Sequence, residues 1–185
     1  MNGLSNVAGR DRQSDSTDSF RCSNTYTNDR ISRNFQVYEL IKSDIALRRG
    51  IDNRLTADTR LRAAIELTRN VLQPIRNHFG AYTPNSVYRS QAVERVLKNK
   101  PSTWYSKSQH TTGQAADIEV LTASNAALAK WISENLVWDQ LILEMYTPGE
   151  PNSGWVHVSY NMAMLANRKK VLTFDGKTYR SGLIF

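Results

Sequence analysis

The stretch SKSQHTTGQAADIEV, residues 106–120, places a histidine, a glycine and a carboxylate at the start of a short apolar strand. His110 is one of three histidines in the chain, and Asp117 follows it within the apolar frame AADIEV. Burying an unpaired carboxylate is costly, so the charge of Asp117 requires a compensating partner. Gly113 lets the backbone turn from His110 into the strand.

Two further strand-like segments, LILEMY (141–146) and WVHVSY (155–160), flank a turn-rich loop and predict an antiparallel hairpin. Side chains alternate between the two faces of a strand. The apolar face then holds Leu141, Leu143, Met145, Val156 and Val158, and the opposite face holds Ile142, Glu144, Tyr146, Trp155, His157 and Ser159. Matching the apolar faces predicts that Glu144 lies roughly opposite His157, with Tyr146 opposite Trp155.

Three polar residues, His110, Asp117 and His157, could form one metal site. Two imidazoles and one carboxylate are a common catalytic zinc set that leaves a fourth position for water. No short-range spacing such as HExxH supports this interpretation, and two alternatives stay open: Asp117 could cap a turn or pair with Arg89, and Glu144 could be a solvated strand residue. The histidine outside the set, His78, lies at a predicted helix end and is expected to be a cap or surface residue.

Length and composition indicate one soluble domain. The chain has 185 residues, of which 40% are hydrophobic and 22% charged, and it has no apolar run long enough to span a bilayer. Cys22 is the single cysteine, which excludes an intrachain disulfide and a Cys-rich zinc site. The N-terminus has no hydrophobic region of a secretory signal, so no classical secretory signal is expected, and the single cysteine fits folding in a reducing compartment such as the cytoplasm.

The net charge of +7 favours polyanionic partners such as an anionic cell wall, a membrane surface or nucleic acid. We found no helix-turn-helix or RNP-like pattern, so a dedicated nucleic-acid binder is not expected.

The order of the segments predicts an α+β fold with a small, mainly antiparallel sheet flanked by helices. Residues 1–34 are polar and predict a flexible arm, and residues 35–185 form the domain. The predicted elements are a helical segment ended by Gly50, a long helix over about 57–79 capped by Thr56 and bent or broken at Pro74, a strand over 85–90, a helix over 91–100, a helix over 124–136 capped by Ser124, and a C-terminal hairpin with an Asp-Gly turn.

The motif residues together resemble a known family. The stretch SQHTTGQAADI fits the pattern Ser-x-His-x-x-Gly-x-Ala-x-Asp, a Trp-Val-His strand follows it, and Tyr-Arg-Ser (88–90) precedes it. This combination resembles the zinc D-alanyl-D-alanine carboxypeptidases, peptidoglycan peptidases that share a fold with the hedgehog signalling domain. The resemblance covers about residues 32–165, and its upstream half is similar to phage-type members.

The resemblance implies that His110, Asp117 and His157 bind Zn²⁺. It also implies that Arg89 binds the substrate carbonyl or stabilises transition-state charge, and that Ser108 contacts substrate or orders the metal loop. Many members carry the catalytic base three residues before the last histidine, where this chain has Gly154. The strand alternation instead nominates Glu144 as the base, with Glu150 and Asp139 as weaker candidates, and Trp155, Tyr146 and Trp104 as residues that line the substrate groove.

The function expected from these residues is zinc-dependent cleavage of D-Ala-containing stem peptides of peptidoglycan, by a phage lysis enzyme or a virion-associated wall-degrading enzyme. Carboxypeptidase and endopeptidase activity both fit. Two other classes stay open. One is a binding module that keeps the zinc fold without turnover, which the missing acid at Gly154 suggests. The other is a structural virion component attached through the arm at 1–34.

Overall fold

A computed structural model of the chain describes residues 29–185. The helices are α1 (Val37–Ile41), α2 (Asp44–Arg49), α3 (Asp58–Leu67), α4 (Gln73–Phe79), α5 (Gln91–Leu97) and α6 (Asn125–Asn135). The strands are β1 (Ala115–Ile118), β2 (Gln140–Glu144), β3 (Trp155–Ser159), β4 (Lys170–Phe174) and β5 (Tyr179–Ser181). The predicted α+β class is confirmed.

Within the described residues, five strands form one sheet in the order β1-β3-β2-β4-β5. Every neighbouring pair is antiparallel except β2 and β4, which run parallel. The sheet buries one face under α6, where Leu141 and Leu143 of β2 lie beside Val158 and Val156 of β3 in the core. The opposite face carries His157 and is open along a groove.

The long helix predicted over 57–79 is present but contains a π-helical turn at Thr68–Leu72, between α3 and α4. Pro74 was predicted to bend or break the helix; the helix continues through Pro74 without a break, and its distortion is the π-helical turn directly before that residue. Proline has no N–H to donate, and the widened turn just before it accommodates that missing hydrogen bond. The helix begins one residue later than predicted, with Ala57 in the capping position instead of Thr56.

The helical segment before it divides into α1 and α2, because Ser43 caps a new helix after Ile41. Gly50 ends α2 in the left-handed conformation, as predicted. The strand expected over 85–90 is reduced to one bridge between Ser86 and Asp117, so this segment pairs with β1 at a single point. Ser124 caps α6, and β4 and β5 form the predicted hairpin.

The packed part of the chain includes residues ahead of position 35. Ile31 is 3% exposed and belongs to the hydrophobic core, and the Ser32 hydroxyl donates to Gln73 at 2.8 Å. The rest of the predicted arm, residues 1–28, lies outside the described residues. Across the described range, every helix is too short or too polar to traverse a lipid bilayer.

Candidate metal centre

His110 is held in place by the short helical turn Gln109–Thr112. Ser108 caps this turn, and its hydroxyl accepts from the His110 backbone N–H. The His110 Nδ1 lies 2.6 Å from the Val87 carbonyl oxygen, so Nδ1 carries the proton and Nε2 is left to bind a metal. Gly113 ends the turn with φ of 75°, where a Cβ would lie 2.5 Å from the Arg60 carbonyl oxygen.

The other two ligands lie on adjacent strands. Asp117 of β1 is paired with His157 of β3, so their side chains project from the same face. The Asp117 Oδ1 lies 3.0 Å from His157 Nδ1 and 3.3 Å from His110 Nε2, and the two ring nitrogens are 3.3 Å apart. The structure therefore brings together the three residues that the sequence nominated.

These three atoms fit a zinc ion. The corners of a tetrahedron with zinc–ligand distances of 2.0–2.1 Å are about 3.3–3.4 Å apart. The observed separations of 3.0 to 3.3 Å are close to that edge. The donor set of two imidazoles and one carboxylate is also a common catalytic zinc set. The residues present thus fit the metal that the sequence implies.

The electrostatics of the cluster favour a charged carboxylate beside neutral imidazole. Burial by itself raises the pKa of Asp117, but the charges and hydrogen bonds of His110 and His157 together hold that pKa well below its ordinary value. Burial lowers the pKa of His110, which outweighs the attraction of Asp117. Neutral imidazole and ionised carboxylate are the forms that ligate a metal.

Arg89 joins the cluster from the segment before α5. Its Nη1 lies 3.3 Å from Asp117 Oδ2, and its Nε forms an ion pair with Glu94 Oε1 at 2.8 Å. Glu94 is 1% exposed and accepts a hydrogen bond from Ser106. The sequence interpretation missed Glu94, whose only sequence signal is its place between the apolar Val93 and Leu97 of α5. The ion pair between Asp117 and Arg89 is thus present, and it uses Oδ2 of Asp117 while Oδ1 lies beside the two imidazoles.

The predicted hairpin is present, but its predicted register is wrong. His157 lies opposite Ile142, and Glu144 lies opposite Trp155. The shift is an even number of residues, which leaves every β2 side chain on its predicted face. Glu144 and His157 therefore share the open face, although they are not a directly opposed pair.

Tyr146 lies on the other side of the sheet from the predicted one. Met145 has φ of 52°, a left-handed conformation that ends β2 and interrupts the alternation of faces. Tyr146 is then 1% exposed within the hydrophobic core, whereas Met145 is 49% exposed and lines the groove. Tyr146 is therefore absent from the lining of the groove, which Trp155 and Trp104 do line.

Of the three carboxylates nominated as the base, Glu144 is the one that lies on the open face of the sheet without an ion-pair partner among the described residues. Burial raises its pKa, while the charge of His157 lowers it and the charge of Asp117 raises it. Asp139 instead lies in an ion pair with Arg168 at 2.6 Å and accepts from Gln109, which holds its pKa at about 2. Glu150 is exposed in the 147–153 loop and is not part of the groove lining.

Gly154 occupies the position where many similar proteins carry the acid. Its φ is 63°, and a Cβ built there would overlap the carbonyl oxygen of Glu144. The close approach of β2 and β3 at this point leaves no room for a side chain. In the present backbone, an acidic side chain at position 154 would therefore collide with the main chain of Glu144.

The three ligands open into a groove of about 1020 Å³ on the sheet face. Its floor follows the sheet from Asp117 and His157 across β2 to Phe174 and Tyr179, which stack at 4.2 Å. Its lining also includes Arg89, Glu94, Ser108 and Glu144. His78 lies outside it and stacks on Trp131 at 4.5 Å, consistent with the surface role predicted for it.

Comparisons with known proteins identify the family. A family model described as Peptidase M15 matches residues 33–159, which is more than half of the chain. Searches of curated proteins and of solved structures gave no match. The chain belongs to the peptidase M15 family, whose members are metal-dependent and typically use zinc.

Proposed function

From membership of the peptidase M15 family, we propose that the protein is a zinc-dependent peptidoglycan peptidase that cleaves D-Ala-containing stem peptides. One observation carries the proposal: the metal-ligand cluster, Arg89 and Glu144 open into the same groove. A carboxylate with a raised pKa beside a metal-ligand cluster is typical of a general base.

In this mechanism His110, Asp117 and His157 hold the zinc ion. When bound, zinc polarises the scissile carbonyl and makes water more acidic. Glu144 accepts the proton of the attacking water and then delivers it to the nitrogen of the leaving amine. Arg89 donates hydrogen bonds to the carbonyl oxygen as negative charge develops on it. The ion pair with Glu94 fixes the guanidinium for this role.

We further propose that the enzyme opens a cell wall either during phage lysis or as part of a virion, with residues 1–28, the part of the predicted arm ahead of the packed residues, as a tether. The support is the resemblance of the upstream half to phage-type members and the net charge of +7, which favours an anionic wall. A non-catalytic binding module is the second candidate, and the missing acid at Gly154 is the feature that favours it.

The metal assignment is tested by elemental analysis of the purified protein. We expect one zinc per chain, with loss of zinc and activity in His110→Ala and His157→Ala because each change removes one of three ligands. His78→Ala is the matched control, since His78 lies outside the groove, and it is expected to retain zinc. Full zinc occupancy in both ligand variants would contradict the assignment.

The base is tested by Glu144→Gln, which keeps the shape of the side chain and removes its basicity. We expect retained zinc and a loss of about 10²–10⁴ in the release of D-Ala from peptidoglycan, the usual contribution of general acid–base catalysis. Glu150→Gln is the control and is expected to be nearly silent. If the zinc-loaded wild-type protein releases no product but binds peptidoglycan, the binding-module function replaces the enzyme.

A further inference from the structure

One wall of the groove carries a concentration of positive charge. The segment from the end of α5 to the turn before His110 contributes Lys98, Lys100 and Lys107, which are exposed and line the groove. We call these three residues the lysine wall. They belong to the loop in which the chain reads VLKNKPSTWYSK.

The other cations of the groove already have partners. Arg89 pairs with Glu94 and Asp117, and Arg168 pairs with Asp139. Among the residues that the structure describes, none forms an ion pair with the lysine wall. The three lysines therefore line the groove without an ion pair, although Lys98 lies near enough to Glu144 for its charge to act on that carboxylate. An anionic ligand in the groove would gain from this arrangement.

Other lining residues of the groove are aromatic or apolar instead of cationic. Where β2, β4 and β5 form the floor, the lining residues are Met145, Phe174 and Tyr179, and Trp155 lies beside Glu144. These side chains offer apolar and aromatic surface, and Tyr179 also has a side-chain hydrogen bond with Glu144. Of the three lysines, Lys98 is the one whose charge acts on Glu144 and lowers the pKa of that carboxylate. A peptide in the groove would thus lie between a cationic wall and an aromatic floor.

We propose that the lysine wall recognises free carboxylates of the peptide substrate and makes the enzyme prefer anionic stem peptides to their amidated forms. This inference rests on the proposed function and assigns the lysines as specificity residues. The carboxylate has two sources in a stem peptide: the C-terminal carboxylate, which a carboxypeptidase holds next to the scissile bond, and an acidic side chain within the peptide.

The expected effect follows from the exposure of the lysines. An exposed ion pair contributes up to about 1 kcal/mol, which corresponds to about fivefold in affinity for each lysine. The attraction acts equally on bound substrate and transition state, so it changes KM and leaves kcat unaltered. Salt screens exposed charges, so KM for an anionic peptide is expected to rise with ionic strength.

The test uses the zinc-loaded full chain and three synthetic D-Ala-containing peptides: one with all carboxylates free, one with a C-terminal amide, and one with its internal carboxylate amidated. The variant is Lys100→Gln/Lys107→Gln, which spares Lys98 and therefore leaves the field at Glu144 unchanged. The control is Arg48→Gln/Arg49→Gln, which removes the same net charge from exposed positions on α2 outside the groove.

We expect the wild type and the control to prefer the free peptide, and the lysine variant to raise its KM by up to about 25-fold with unchanged kcat and a weaker salt dependence. For one of the two amidated peptides, the wild type and the lysine variant should have the same KM, and the carboxylate that this peptide lacks is the one that the lysines recognise. If that peptide is the C-terminal amide, the result indicates carboxypeptidase action. Equal KM values for all three peptides, or an equal effect of the control, would overturn the proposal. If the wild type cleaves none of the peptides, the proposed function fails. The lysine proposal is then decided by the dissociation constants of the three peptides, measured by tryptophan fluorescence for the wild type, the lysine variant and the control.

Discussion

Gly154→Ala is expected to destabilise the protein by about 2–4 kcal/mol, the sum of two separate costs. The first is the left-handed backbone, with φ of 63°, which costs a residue with a Cβ about 1 kcal/mol. The second is overlap of the new Cβ with the Glu144 carbonyl oxygen and its approach to 2.8 Å from backbone atoms of Met145. Backbone atoms cannot rotate away, so the strands must separate, at about 1–3 kcal/mol.

Urea unfolding of the zinc-loaded protein measures this cost as a shift of the midpoint at constant slope. Gly149→Ala is the matched control in the same loop. Gly149 has φ of 88°, but a Cβ there would meet no atom within 4 Å. This control therefore carries the conformational cost alone, and the difference between the two variants isolates the overlap.

The same displacement acts on Glu144, so Gly154→Ala is expected to reduce turnover more than Gly149→Ala does. For the same reason Gly154→Asp, which restores an acid where many similar proteins have one, is not expected to increase activity. The reasoning is refuted if Gly154→Ala costs no more stability than Gly149→Ala, or if Gly154→Asp is stable and more active than the wild type.

Two further predictions concern stability. Asp139→Asn should lower the free energy of unfolding by about 1–2 kcal/mol at pH 7, because Arg168 holds the pKa of Asp139 at about 2, below its value in the unfolded chain. The difference in stability between this variant and the wild type should be complete above about pH 4 and should vanish as the pH falls through 2. Urea titrations at each pH measure it. Ile31→Ala should lower the free energy of unfolding by about 2–4 kcal/mol in the same assay, because Ile31 is buried. Deletion of residues 1–28 should leave zinc content and turnover unchanged. An Ile31→Ala variant as stable as the wild type would contradict the observed packing.

The sequence was sufficient for features that depend on short-range patterns. His110 and Asp117 belong to one local motif, and His157 lies on a strand whose alternation is regular, so the three residues that cluster in the structure could be nominated from the sequence. Ser124 and Gly50 are helix-terminating residues whose chemistry acts locally. These features require no knowledge of which strand lies beside which.

Features that depend on contacts between distant segments could not be predicted in this way. The direct pairing of Glu144 with Trp155 is set by the close approach at Gly154, which no periodicity reveals. The burial of Tyr146 depends on one left-handed residue, Met145, a conformation that its residue type does not signal. Glu94 reads as an ordinary helix glutamate until the fold brings Arg89 to it.

The geometry at Gly154 bears on the proposal that Glu144, and not a residue at position 154, acts as the base. Residues on adjacent strands share a face, so a carboxylate on β2 can reach the same open face as His157 on β3. At Gly154 the two strands approach too closely for a side chain, and the residue that they approach is Glu144. An acid at position 154 and the present position of Glu144 are therefore sterically exclusive. Comparing the turnover of Gly154→Asp with that of Glu144→Gln therefore tests which of the two positions can supply the base.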